Sequence, residues 1–150
     1  MSCYSCGQEA MLAEAPDAEQ VFLTADWRVV HATRCALAGW LVVLPRRHTT
    51  AISEHTAAEA QQLGRLLVAV SAAIEEHTGC SKTYVAQFAE AAGFEHTHFH
   101  VIPRSADLPP DLVGPRIFDY LARPEAEQLS LHERNEHARA LRPLITARMS

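Results

Sequence analysis

The pattern of hydrophobic and polar positions along the chain predicts several short strands, some before and some after one long helix. The strand-like runs are residues 21–24, 27–32, 40–44, 82–88 and 96–102. Ala25-Asp26 separates the first two runs and predicts a hairpin. The third run is apolar throughout and ends at Pro45, which is typical of a central strand buried on both faces.

Two helices are predicted by their first residues. Thr56 and Glu59 have the spacing of a capping box, in which each side chain satisfies a free backbone N–H group. Apolar residues then recur at helical spacing until Gly79, which we expect to end this helix. Ser130 and Glu133 predict a second capped helix near the end of the chain.

Strands before and after one long helix, joined by short turns, indicate an α+β domain with an antiparallel sheet of about five strands. The length of 150 residues suits a single domain. We expect a core over residues 1–104 and a C-terminal helical arm over residues 105–150. The arm follows directly from the last strand, so it either borders the functional site or simply packs against the core.

Composition excludes several classes of partner. The net charge is −5, and no basic run is present, so we expect neither nucleic acid nor anionic membrane as a partner. Arg46, Arg47 and Arg104 nevertheless flank the informative segments and could bind a small phosphate. The N-terminus lacks the basic and apolar regions of a signal peptide, and no apolar run could span a membrane, so we expect a cytoplasmic protein.

Three histidines at every second position, His96, His98 and His100, are the strongest chemical signal in the chain. Side chains at alternate positions of a strand share one face, so a strand here would place three imidazole rings together. At neutral pH an imidazole can be a nucleophile, a proton carrier or a metal ligand. The first and third rings would be about 13 Å apart, which is too far for one shared metal ion.

The sequence His-Thr-His-Phe-His-Val-Ile resembles the signature of the histidine triad (HIT) family of nucleotide hydrolases and transferases. Residues 40–48, Trp-Leu-Val-Val-Leu-Pro-Arg-Arg-His, resemble the segment that these proteins carry about fifty residues upstream. The resemblance implies a HIT-like fold, a homodimer, and a purine nucleotide or dinucleotide as substrate. Candidates include dinucleoside polyphosphates and nucleoside phosphoramidates.

The resemblance also implies a role for individual residues. His98 would attack the α-phosphate and form a covalent nucleotidyl-histidine, with its second ring nitrogen bound to a backbone carbonyl. His100 would contact the phosphate, and Gln87 and Arg104 would help to bind the substrate. Phosphoryl transfer depends mainly on positioning and on neutralising charge, which ring N–H donors can supply.

A structural zinc site is implied in the same way. Cys3 and Cys6 alone are a weak signal for metal binding. HIT proteins that carry such a pair often combine it with two histidines, which correspond here to His48 and His96. Two thiolates and two imidazoles make a closed tetrahedral shell, which is typical of a structural rather than a catalytic zinc.

The chain departs from the family pattern in the nucleoside region. Many HIT proteins have histidine at the position of Trp40, a ribose-binding aspartate at that of Ala32, and Gly-Gln at that of Ala91-Ala92. These departures leave two hypotheses open. The first is an enzyme that works through His98, and the second is a zinc-stabilised HIT protein that binds or senses a nucleotide without turnover.

Overall fold

The computed structural model describes residues 2–150. Five strands and three α-helices are joined by loops and short 3-10 helices. In chain order they are α1 (Tyr4–Ala10), β1 (Phe22–Leu23), β2 (Trp27–His31), β3 (Leu41–Pro45), α2 (Ala57–Thr78), β4 (Lys82–Ala86), β5 (Phe99–Arg104) and α3 (Leu131–Met149).

The five strands form one antiparallel sheet in the order β1-β2-β3-β5-β4. The predicted hairpin is β1-β2, and the predicted buried strand is β3 at the centre. β4 is an edge strand, so one side of it is open to pairing with another strand. The predicted α+β class, with an antiparallel sheet of five strands, is therefore confirmed.

Both predicted helix starts are present. The hydroxyl of Thr56 accepts a hydrogen bond from the backbone N–H of Glu59, and the carboxylate of Glu59 accepts one from the backbone N–H of Thr56. Ser130 and Glu133 form the same pair of hydrogen bonds at the start of α3. Gly79 ends α2 in the left-handed region with φ 71°, where a residue without Cβ is favoured. Local capping thus fixes the ends of the long helix.

The two faces of the sheet carry separate hydrophobic clusters, because side chains of a strand alternate between faces. On one face Trp27, Val29 and Val43 pack against apolar side chains of α2 and α3. On the other face Trp40, Val42 and Ile102 pack against the irregular segment 108–121. The C-terminal arm is therefore divided: residues 108–121 border the second face, and α3 covers the first.

Two strands differ in extent from the sequence prediction. The strand predicted over residues 82–88 ends at Ala86, and Ala89 has a positive φ of 54°. The strand predicted over residues 96–102 begins only at Phe99. Before that point the backbone N–H of Thr97 donates to Thr49 instead of to β3, so His96 lies in a bend outside the strand.

Among residues 2–150 no helix is both long and apolar enough to cross a membrane.

Candidate functional site

His98 lies directly before β5, and its ring is held by the backbone. Its Nδ1 is 2.8 Å from the carbonyl oxygen of His96. A carbonyl oxygen only accepts, so Nδ1 carries the hydrogen and Nε2 keeps a free lone pair. The backbone hydrogen bond expected for this residue is present, and it leaves Nε2 as a nucleophilic atom.

His100 is the second histidine of the site, and its tautomer is opposite to that of His98. The indole Nε1–H of Trp40 donates to His100 Nδ1 over 3.0 Å. Nδ1 is therefore the acceptor, and Nε2 carries the hydrogen. Burial, together with the nearby His98, lowers the pKa of His100 to about 3, so the ring is neutral at physiological pH. The two rings are neighbours, with centroids 4.9 Å apart.

These two histidines line one side of a cavity of about 350 Å³. Such a volume lies within the usual range for small-molecule sites. Its walls are mostly apolar and come from β2, β3, the segment before β5 and the 3-10 helix Gly114–Leu121. The aromatic and larger apolar lining residues are Tyr4, Val30, Val42, Leu44, Phe88, Phe94, Phe118 and Leu121.

The sheet supplies the floor of the cavity. His100 on β5 is paired with Val42 on β3, which is paired with Val30 on β2. Ala32, at the position of the ribose-binding aspartate of many HIT proteins, is also part of this lining and is almost fully buried. Its methyl group offers no hydrogen-bond acceptor there.

A buried pair of charges, Arg28 and Glu19, also lines the cavity. Arg28 is 1% exposed, and its guanidinium donates to the backbone carbonyls of Ser5 and Glu19. Its Nε lies 3.2 Å from the carboxylate of Glu9. Burial raises the pKa of Glu19, whereas Arg28 and Arg134 oppose that change.

A second cluster joins the N-terminus to the sheet. One ligand atom from each of Cys3, Cys6, His48 and His96 lies within 4.8 Å of the others. Cys3 caps α1, and its Sγ accepts from the backbone N–H of Cys6. Two thiols and two imidazoles are a donor set suited to tetrahedral metal binding. These four side chains could therefore hold one metal ion together.

His96 has the tautomer that such a site requires. Its Nε2 lies 2.8 Å from the carbonyl oxygen of Pro45, so this nitrogen carries the hydrogen. Nδ1 is left free, 3.6 Å from both cysteine sulfurs. Burial lowers the pKa of His96, which favours the neutral ring that a metal ligand needs. A carbonyl that orients the imidazole is typical of protein metal sites.

The remaining predicted substrate-binding residues do not line the cavity, although Gln87 comes directly after Ala86, which is paired with His100. Gln87 follows β4 and is outside the cavity lining, although Phe88 beside it is part of that lining. Arg104 lies at the far end of β5, where its guanidinium donates to backbone carbonyls of the following loop. Arg46 and Arg47, proposed as phosphate ligands, are ion-paired with Glu9 and Glu59.

Several lining residues escaped the sequence analysis. Glu19 and Arg28 were not singled out, although a charged residue between apolar Trp27 and Val29 was a usable signal. Phe118 lies in a 3-10 helix with no periodic pattern of its own, and its ring centroid is 4.9 Å from that of His100. Trp40 was noted only as a departure from the family.

Proteins similar to this chain are found among solved structures and through a family model. No curated protein matches the chain. Among solved structures, the Zn-bound histidine triad family protein from Mycobacterium smegmatis is 21% identical, with a TM-score of 0.68 over 98% of this chain and 95% of that one. The hypothetical histidine triad nucleotide-binding protein from Sulfolobus tokodaii strain7 is 15% identical, with a TM-score of 0.71 over 97% and 93%.

A third similar structure is the histidine triad protein from Bradyrhizobium japonicum, with 24% identity and a TM-score of 0.65 over 91% of this chain and 95% of that one. At these identities the structures establish the fold alone. The family model of the HIT domain matches residues 14–107, which is more than half of the chain. The chain therefore belongs to the histidine triad (HIT) family.

Proposed function

We propose that this protein is a nucleotide hydrolase or nucleotidyl transferase in which His98 attacks the α-phosphate. Membership of the HIT family supports the general class of nucleotide-binding hydrolases and transferases. The observation that carries the proposal is the hydrogen bond from His98 Nδ1 to the carbonyl of His96, which places the lone pair of the neutral ring on Nε2, beside the cavity. Dinucleoside polyphosphates and nucleoside phosphoramidates are the proposed substrates.

In the first step His98 Nε2 forms a bond to the α-phosphorus, and the bond from phosphorus to the leaving group breaks. His98 Nδ1 keeps its hydrogen, and the hydrogen bond to the His96 carbonyl stabilises the positive charge that the ring gains. In the second step water or another acceptor displaces the ring and restores His98. Covalent catalysis of this kind divides one difficult displacement into two easier ones.

His100 serves in this scheme as a neutral donor. Its Nε2–H would bind a non-bridging oxygen of the α-phosphate, and Trp40 holds the ring in that tautomer. A donor fixed before the reaction begins stabilises developing charge without reorganisation. Gln87, which follows the strand residue paired with His100, and Arg104 stay proposed as substrate-binding residues.

Zinc is the metal that we propose for the cluster of Cys3, Cys6, His48 and His96. A zinc-bound HIT protein is among the similar structures. The ion would be structural, because all four of its positions would be filled by side chains. It would hold α1 and the segment before β5 together, and so keep the carbonyl of His96 in place for His98.

A homodimer is the proposed assembly. β4 is an edge strand, and its Val85 is 50% exposed, while Val68 of α2 is 72% exposed. An isologous contact would bring these patches against their own copies.

Turnover of a substrate panel tests the proposal. Wild-type protein should release nucleoside monophosphate from diadenosine tetraphosphate or adenosine 5′-phosphoramidate, and His98→Ala should not. Exposed His132 provides the control variant His132→Ala, which should match the wild type. Tight binding of both nucleotides with no turnover by wild-type protein would contradict the enzyme and favour a nucleotide-binding protein.

A further inference from the structure

The carboxylate of Glu19 is the buried acceptor of the cavity, and its hydrogen-bonding capacity is unused. Glu19 is 8% exposed and lines the cavity. Among residues 2–150, its nearest guanidinium partners are Arg28 at 3.7 Å and Arg134 at 3.9 Å. Both distances exceed a hydrogen bond. Buried carboxylates are normally hydrogen-bonded, so this one has room to accept from a ligand.

Arg28 uses one N–H of each terminal nitrogen for backbone carbonyls of the protein itself. Its two terminal nitrogens donate to the carbonyls of Glu19 and Ser5, and its Nε faces Glu9. The guanidinium also supplies positive charge that favours the ionised form of Glu19. The cavity therefore presents the Glu19 carboxylate with positive charge beside it, and the Nε of Arg28 and the Nε and one terminal nitrogen of Arg134 have no hydrogen-bond partner in the described residues.

The position of Glu19 and Arg28 in the cavity decides which part of a bound nucleotide they contact. Arg28 is on β2, two strands across from His100 and two residues along from Val30. With about 4.8 Å between strands and about 3.4 Å per residue, its backbone is roughly 12 Å from that of His100. Phosphate, ribose and base follow one another in a nucleotide, so a substrate with its α-phosphate at His98 extends its base toward Glu19.

The walls between these two ends suit a flat ring. Val30, Val42 and Leu44 form the floor, and the aromatic rings of Tyr4 and Phe94, with centroids 5.0 Å apart, contribute to the lining beside Arg28 and Glu19. Ala32 offers no acceptor to the ribose. The buried carboxylate of the cavity thus lies in the base region and not at the family's ribose position, whereas Glu90, the other carboxylate in the lining, is exposed.

We infer that Glu19 reads the nucleobase, and that it selects a base whose edge carries a hydrogen-bond donor, such as the exocyclic amine of adenine. This inference rests on the proposed function, since it takes the α-phosphate to lie at His98. A base without that donor would leave the buried carboxylate unpaired, which is costly. Adenosine and guanosine nucleotides are accepted on this basis, and a purine whose edge carries no N–H donor, such as unsubstituted purine, is disfavoured.

The test compares adenosine 5′-phosphoramidate with the purine riboside analogue, which lacks only the exocyclic amine. For wild-type protein kcat/KM should be at least about tenfold higher for the adenosine compound, as expected for loss of a hydrogen bond to a charged group. In Glu19→Met this ratio should fall to near one. Glu19→Gln keeps a neutral acceptor of the same size. Its ratio should lie between the wild-type ratio and the ratio near one of Glu19→Met.

Controls separate the base from the ribose and the site from the fold. The exposed Glu14 gives the matched variant Glu14→Gln, which should keep the wild-type ratio. Any discrimination against 2′-deoxyadenosine 5′-phosphoramidate should be the same in wild type and Glu19→Met. A discrimination at the 2′-hydroxyl that disappears in Glu19→Met would overturn the assignment to the base. If the Tm of Glu19→Met is far below that of the wild type, the comparison of Glu19→Gln with the wild type decides the test.

Failure of the proposed function would give a different result. If wild-type protein turns over neither compound, calorimetry with AMP and with purine riboside 5′-monophosphate tests Glu19 independently of catalysis. Tighter binding of AMP, lost in Glu19→Met, supports the inference. Equal wild-type affinity, or equal kcat/KM where turnover occurs, overturns it.

Discussion

The indole Nε1–H of Trp40 donates to Nδ1 of His100 over 3.0 Å, so a side chain that cannot ionise determines the tautomer of the histidine beside the nucleophile. Many HIT proteins have a histidine at this position, and a histidine could donate or accept. Tryptophan can only donate. In this chain the hydrogen of His100 is therefore confined to Nε2 over the whole physiological pH range.

Trp40→Phe should expose this dependence. The variant keeps an aromatic ring but loses the donor, so His100 Nδ1 can take a proton and the pKa of His100 rises from about 3. We expect kcat to fall about tenfold, and the loss of activity on acidification to begin at a higher pH than in the wild type. A pH profile of kcat checks both.

The matched control is Trp27→Phe, because Trp27 is equally buried but donates to the carbonyl of Glu59 on the opposite face. It should cost stability without moving the pH profile. A Trp40→Phe enzyme with the wild-type kcat and profile would show that the indole donor has no role in the reaction.

The fold could be predicted from sequence where the signals are local. Thr56, Gly79 and Ser130 act through their own backbone neighbours, so capping residues located both long helices. The extent of the triad strand could not be predicted this way. His96 leaves the strand because its ring binds the carbonyl of Pro45, and that contact joins residues 51 positions apart.

The residues of the candidate site also divide into those that motifs in the sequence predict and those that depend on the three-dimensional fold. The composition of the metal cluster was expected from a resemblance in the motifs, and the structure brings its four side chains together. The role of Trp40 depends on the register of β3 against β5, which no local pattern encodes. Glu19 and Phe118 belong to irregular segments, where neither strand nor helix periodicity marks a lining residue.

The zinc proposal predicts about one zinc per chain in protein purified without chelator. Cys3→Ser should lower both the zinc content and Tm, by roughly 5–10 °C, since a loss of a few kcal/mol shifts Tm by about 2–4 °C per kcal/mol at this size. The rate per folded molecule should change less. Cys80→Ser is the control, because Cys80 is a free cysteine outside the cluster. Metal-free, fully stable wild-type protein would refute the site.

Stability should fall in acid because two buried histidines are neutral in the folded state. Burial lowers the pKa of His31 to about 4 and that of His100 to about 3. Unfolded histidines bind protons below about pH 6.5, so the unfolded state gains protons first and the free energy of unfolding decreases as pH falls from about 6.5 toward these values.

His31→Gln isolates one of these groups. Between about pH 6 and pH 4.5 its unfolding free energy should depend on pH less steeply than that of the wild type, by about 1.4 kcal/mol per pH unit at most. Urea unfolding at several pH values measures the slopes. The control His132→Gln, at an exposed histidine, should keep the wild-type slope. A wild-type slope in His31→Gln as well would show that His31 is protonated in the folded state and would contradict the prediction.

The dimer proposal predicts about twice the chain mass of 16.6 kDa in light scattering at micromolar concentration. Val68→Glu should shift the mass toward one chain, because a two-fold contact would place two buried carboxylates in one interface. Val113→Glu, the same change at an exposed valine outside α2 and β4, should remain a dimer. A wild-type monomer with full turnover would show that the edge strand needs no partner.

Intact-mass spectrometry after rapid quenching is the most direct test of His98 as the nucleophile. On incubation with adenosine 5′-phosphoramidate, the wild-type protein should gain the mass of one adenylyl group per chain, and peptide mapping should place it on His98. His98→Ala should show no adduct and no turnover, while its melting curve and AMP affinity stay close to those of the wild type. An adduct on another residue, or wild-type turnover by His98→Ala, would contradict the mechanism.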